Sequence, residues 1–84
     1  MPRYRAHMVN REDPAPIWQQ VAAVLRQRIA DGTITGRLPS ERDLQNEFGV
    51  APMTTRKAVR QLQSEGLVTT VTGRGTFVVR KDQD

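Results

Sequence analysis

Apolar residues fall into three runs at helical spacing, followed by two short runs rich in β-branched residues. In the first run Ile17, Val21, Val24, Leu25 and Ile29 recur at i, i+4, i+7, i+8 and i+12. That is one apolar stripe at the period of an α-helix, which predicts a helix from Ala15 to Asp31. Pro14 and Pro16 suit its start and Gly32 its end. Trp18, at the head of the stripe, reads as core or rim packing rather than a ligand stack. In the connector Thr33–Leu38, Ile34 and Leu38 are assigned to the core. A second helix opens with Ser40 as N-cap and Asp43 at N3, a capping box with Asp in place of Glu. Leu44 and Phe48 lie four apart on its inner face, Gly49 ends it, and Val50 packs the turn. A third helix opens at Pro52, with Thr55, Ala58, Val59 and Leu62 facing inward, and Gly66 closes it after Glu65.

Leu67–Thr72 and Thr76–Arg80 are enriched in Thr, Val and Phe and predict a pair of strands. Gly73-Arg74-Gly75 lies between them, so a hairpin tip presents an arginine flanked by residues that tolerate φ > 0. Three helices with a glycine-centred turn between the second and third, then a hairpin, give a mainly α winged helix-turn-helix. The expected organisation is a flexible arm over 1–13, the winged domain over 14–80 and a polar tail over 81–84.

Charge decides what the third helix is for. The 84-residue chain carries 13 Lys and Arg against 9 Asp and Glu, a net charge of +4. From Ala51 to Arg80 the basic residues are Arg56, Lys57, Arg60, Arg74 and Arg80, and the only acid is Glu65. A solvated helix face normally alternates signs, whereas this one is positive until Glu65. A helix-turn-helix lays such a second helix in the DNA major groove, so double-stranded DNA is the expected partner. In the arm, Arg3, Arg5 and Arg11 are within reach of phosphates but read first as parts of a disordered segment.

Other chemistry finds little support. There is no cysteine, and the single histidine, His7, has no clustered partners for a zinc site. No nucleophile–base pair, carboxylate pair or phosphate loop can be assembled, so neither an enzyme nor a cofactor is expected. No run is apolar enough to cross a bilayer and no signal sequence is evident, so the expected location is cytoplasmic. The competing class is a winged helix used for protein interaction, which would expose an apolar patch. The third helix and the hairpin expose Arg, Lys and Thr instead.

The ordered pieces Gln20-Val-Ala with Leu25-Arg26, Leu38-Pro-Ser-Glu-Arg42 with Leu44, Phe48-Gly-Val, Thr54-Thr-Arg56 with Ala58 and Leu62, Glu65-Gly-Leu-Val and Gly73-Arg-Gly-Thr-Phe-Val78 resemble the N-terminal domain of the GntR family of bacterial transcription regulators. The likeness runs from about Ile17 to Val79. It implies that Arg42, Thr54 and Arg56 contact DNA and that Gly73 and Arg74 enter the minor groove. The full candidate contact set is Ser40, Arg42, Met53, Thr54, Thr55, Arg56, Lys57, Arg60, Thr72, Gly73, Arg74 and Gly75. The chain departs from the family in having Ala51-Pro52 where Ser or Thr followed by Arg is usual. Its connector is also shorter and lacks the usual Pro-Gly. Family members continue into a C-terminal domain that binds an effector and dimerises. The resemblance therefore implies a repressor acting at an inverted-repeat operator, with dimers forming on DNA and an effector only where that further domain exists.

Overall fold

The computed structural model describes residues 9–79. Its elements, in chain order, are α1 (Ile17–Ala30), α2 (Glu41–Phe48), α3 (Pro52–Ser64), β1 (Val68–Val71) and β2 (Gly75–Val78). The three helices and antiparallel hairpin are the winged helix-turn-helix expected from the apolar pattern. Arg3, Arg5, His7, Arg80 and the tail at 81–84 lie outside the described residues.

Each helix boundary follows from local chemistry. Ser40 Oγ accepts from the Asp43 backbone N–H at 3.1 Å, satisfying one of the free donors at the α2 N-terminus. The return bond of a capping box is not made, since Asp is one methylene shorter than Glu. Gly49 caps the other end at φ +68° with its N–H on the Gln45 carbonyl, a left-handed conformation that costs a glycine little. Three residues later, Pro52 occupies the first turn of α3, where its missing N–H leaves no bond unmade.

The core is built from one face of each helix. Val21, Ala22 and Leu25 of α1 meet Ala58, Val59 and Leu62 of α3, with Leu44 and Phe48 of α2 closing the third side. Leu25, Leu44 and Leu62 are fully buried, each contributing on the order of 1.5–3 kcal/mol of burial free energy. Ile34 and Leu38 are buried as well and pin the connector to this core, as their apolar character predicted.

The connector also joins the sheet. Arg37 forms an antiparallel bridge with Phe77. On either side, the Leu38 N–H donates to the Thr76 carbonyl and the Val78 N–H to the Gly36 carbonyl, both at 2.8 Å. Gly36–Leu38 is thus a third rung on the free edge of β2, which covers a row of otherwise unpaired backbone groups. The sequence pattern showed this segment only as a connector, because one bridged residue has no period.

Residues 9–13, assigned from sequence to the flexible arm, lie against the body. Val9 packs on the core. The Asn10 N–H donates to Gln20 Oε1 at 2.7 Å, and Gln20 Nε2 returns a bond to the Asn10 carbonyl at 2.9 Å. The Arg11 guanidinium donates to the Gly49 carbonyl at 2.9 Å. Reciprocal amide bonds of this kind leave no trace in hydrophobic periodicity.

Candidate nucleic-acid interface

On α3 the exposed side chains divide by helical phase. Met53, Arg56 and Arg60 stand at i, i+3 and i+7 and share one stripe; all three are exposed, Met53 by 69%. Lys57 is one residue further round and turns toward α1. Its ammonium lies 5.1 Å from the centre of the Trp18 ring, within cation–π distance. Trp18 is half-buried and forms the rim of the helical layer. Thr54 is half-buried at the start of the helix.

Thr55 does not reach the surface. It has no exposed area, and its Oγ1 donates to the Pro52 carbonyl at 2.9 Å. Thr55 stands three and seven residues from Ala58 and Leu62, so its methyl belongs to the buried stripe. The local bond satisfies its hydroxyl, as a buried polar group requires. Its place in the candidate contact set is therefore withdrawn.

Ser40 and Arg42 are exposed at the start of α2. Glu41 between them approaches α3, its Oε1 lying 3.5 Å from Arg56 Nε, so the α2 start and the exposed stripe of α3 form one surface.

The wing is fixed to that surface. Gln63 Nε2, in the last turn of α3, donates to Thr70 Oγ1 at 2.5 Å. Thr70 faces Thr76 across the hairpin with their hydroxyls 3.0 Å apart, a cross-strand pair that rigidifies the ribbon. At the tip the Arg74 N–H donates to the Val71 carbonyl at 2.9 Å. Gly73 has φ +79°, as a type II turn requires at its third position. Thr72, Gly73 and Arg74 are exposed and Gly75 is half-buried. Sequence reasoning missed Arg37, whose side chain lies over Gly75.

Ion pairing sorts the arginines. Arg26 of α1 makes a two-bond pair with Glu65, at 2.8 and 2.6 Å. The Arg26 guanidinium, helped by the Gln61 amide, holds the Glu65 carboxyl down to about 2. Arg28 pairs with Glu47 and stacks 5.7 Å from the centre of the Phe48 ring. Arg37, Arg42, Arg60 and Arg74 have no carboxylate partner among the described residues. The positive charge of α1 is therefore neutralised within the fold, whereas Arg42, Arg60 and Arg74 have no such partner among the described residues and Arg56 meets only the exposed Glu41, at 3.5 Å.

The chain matches the family described as "Bacterial regulatory proteins, gntR family" over residues 17–78, which takes in every element of the fold. The chain belongs to the GntR family. It is 40% identical over 72 residues to the HTH-type transcriptional repressor NagR of Bacillus subtilis, covering 83% of this chain and 30% of that protein. It is 41% identical over 69 residues to the histidine utilization repressor of Pseudomonas putida, covering 80% and 28%. This GntR chain thus spans less than a third of the length of these curated relatives. Among solved structures, AraR(DBD) in complex with operator ORX1 superposes with a TM-score of 0.74 at 39% identity, covering 77% of this chain and 81% of that one. YtrA from Sulfolobus acidocaldarius, a GntR-family transcription factor, gives a TM-score of 0.82 at 30% identity, covering 92% and 83%.

Proposed function

We propose that this GntR domain binds double-stranded DNA sequence-specifically as the reading head of a transcriptional repressor. In this reading α3 enters the major groove and the wing the minor groove. The observation that carries it is the partition of the arginines: those of α1 are held in close two-bond pairs, whereas Arg42, Arg60 and Arg74 have no carboxylate partner among the described residues and Arg56 meets only an exposed Glu41 at 3.5 Å. A phosphate backbone is the partner such a surface fits, because neutralising phosphates releases condensed counterions. The repressor role is supported by the names of the relatives, and the DNA partner by the AraR–operator complexes. Neither role calls for catalysis or a cofactor, and a cytoplasmic location accompanies both. Among the described residues no helix is long and apolar enough to cross a membrane.

The 84-residue chain binds weakly as a monomer and gains affinity on an inverted repeat, where two copies sit on adjacent half-sites. Any effector acts through a C-terminal domain such as family members carry. Selection of bound duplexes from a random pool tests the reading. Enrichment of an inverted repeat is expected, and recovery of unenriched sequence would refute specific binding.

A further inference from the structure

The Gly36–Leu38 rung brings a second arginine to the wing. Arg37 is exposed, and its backbone is held by the hydrogen bonds of Leu38 and Val78 on either side. Its side chain lies across Gly75. A Cβ built on Gly75 would stand 3.0 Å from Arg37 Nε and 3.6 Å from both Cδ and Cζ. Gly75 therefore leaves the space in which the guanidinium rests, one residue from Arg74. Neither Arg37 nor Arg74 has a carboxylate partner among the described residues. The arrangement suits a surface completed by an external anion.

We infer that Arg37 is a further DNA contact, holding a backbone phosphate at the edge of the minor groove into which Arg74 is inserted. The inference rests on the DNA-binding reading above. Its geometry selects phosphate over base. Gly75 forms the last paired rung of the hairpin, opposite Val71, so Arg37 sits behind the tip. The minor groove is about 6 Å wide, and a side chain flanking an inserted tip meets the sugar-phosphate wall rather than the floor. The planar guanidinium fork then offers two parallel donors to phosphate oxygens. Arg37 also lies on the segment that leads into Ser40 and Arg42, so it joins the wing contact to the α2 contact along one strand.

The test is salt-dependent binding of wild type, Arg37→Ala and Arg37→Lys to the duplexes recovered by selection. Arg37→Ala should weaken binding to all of them by the same factor and reduce the slope of log K against log salt by about 0.9. Arg37→Lys should keep the slope. Gly75→Ala should lose more affinity in the wild-type background than in Arg37→Ala, because its methyl displaces the guanidinium. Unchanged affinity and slope in Arg37→Ala, with wild type binding normally, would overturn the inference alone. So would a loss confined to one base pair, or equal effects of Gly75→Ala in both backgrounds. A wild type that binds no duplex would overturn the DNA-binding reading as well.

Discussion

Arg56 Nε and Glu41 Oε1 lie 3.5 Å apart, joining the exposed stripe of α3 to the first residue of α2. Both side chains are substantially exposed, so the pair adds little to stability. Its consequence is orientation, because it draws the long Arg56 side chain toward the start of α2.

Arg56 is expected to read guanine, to whose O6 and N7 an arginine donates two bonds. Arg56→Ala should cost about 1–3 kcal/mol and relax preference at one base pair. Glu41→Gln should leave Arg56 less restrained and remove a negative charge facing the phosphates. It should raise binding to scrambled duplex while lowering discrimination at that same pair. Competition binding on matched and substituted duplexes measures both effects. A uniform loss across all sequences in Arg56→Ala would make Arg56 a phosphate contact.

Arg42 should act as a positioning contact. It is exposed beside the α2 N-terminus, where free backbone N–H groups also favour a phosphate. Arg42→Ala should reduce the salt slope by about one charge without altering base preference. A selected sequence that changes in the mutant, with the slope intact, would assign it to base reading.

Arg74 should favour A·T-rich flanks, where the minor groove is narrow and its negative potential enhanced. Arg74→Ala should lose most affinity on A·T-flanked sites. Gly75→Val should weaken binding on every site, because Gly75 has φ +119° and a bulky residue there is strained by on the order of 1–3 kcal/mol. Comparing A·T with G·C flanks decides the matter. Equal wild-type affinity for both would leave Arg74 a solvated turn residue.

Glu65 makes acid stability depend on Arg26. A carboxyl whose folded pKa is depressed stabilises the protein above its ordinary pKa and loses that contribution as pH falls toward the folded value. For Glu65 the window runs from 4.5 down to about 2. Glu65→Gln should melt below wild type at neutral pH, with the gap closing across this window. A gap in melting temperature that stays constant down to the acid end would show that the Arg26 bond contributes nothing through its charge.

The helices, their ends and the hairpin were legible in the sequence because they are set by interactions within a few residues. Pro52 at the α3 start, Gly49 after Phe48, the Ser40 cap and the glycines around Arg74 each act locally. The apolar spacing likewise identifies the buried face of each helix without knowledge of its neighbour. The positive outer face of α3 was readable for the same reason, since one helix period sorts Arg56 and Arg60 from Ala58 and Leu62. Counting Thr55 as a contact treated a hydroxyl as a surface group, although its phase placed it with the core and the Pro52 carbonyl was near enough to satisfy it. What only the tertiary structure decided is which charges remain free and what else reaches the wing. Arg26 and Glu65 are 39 residues apart, and Arg28 and Glu47 are 19 apart. Lys57 meets Trp18 across two helices, and Arg37 reaches Gly75 through a sheet edge. Contacts between segments distant in the chain depend on how the helices cross, and a pattern with the period of a single element carries no record of that.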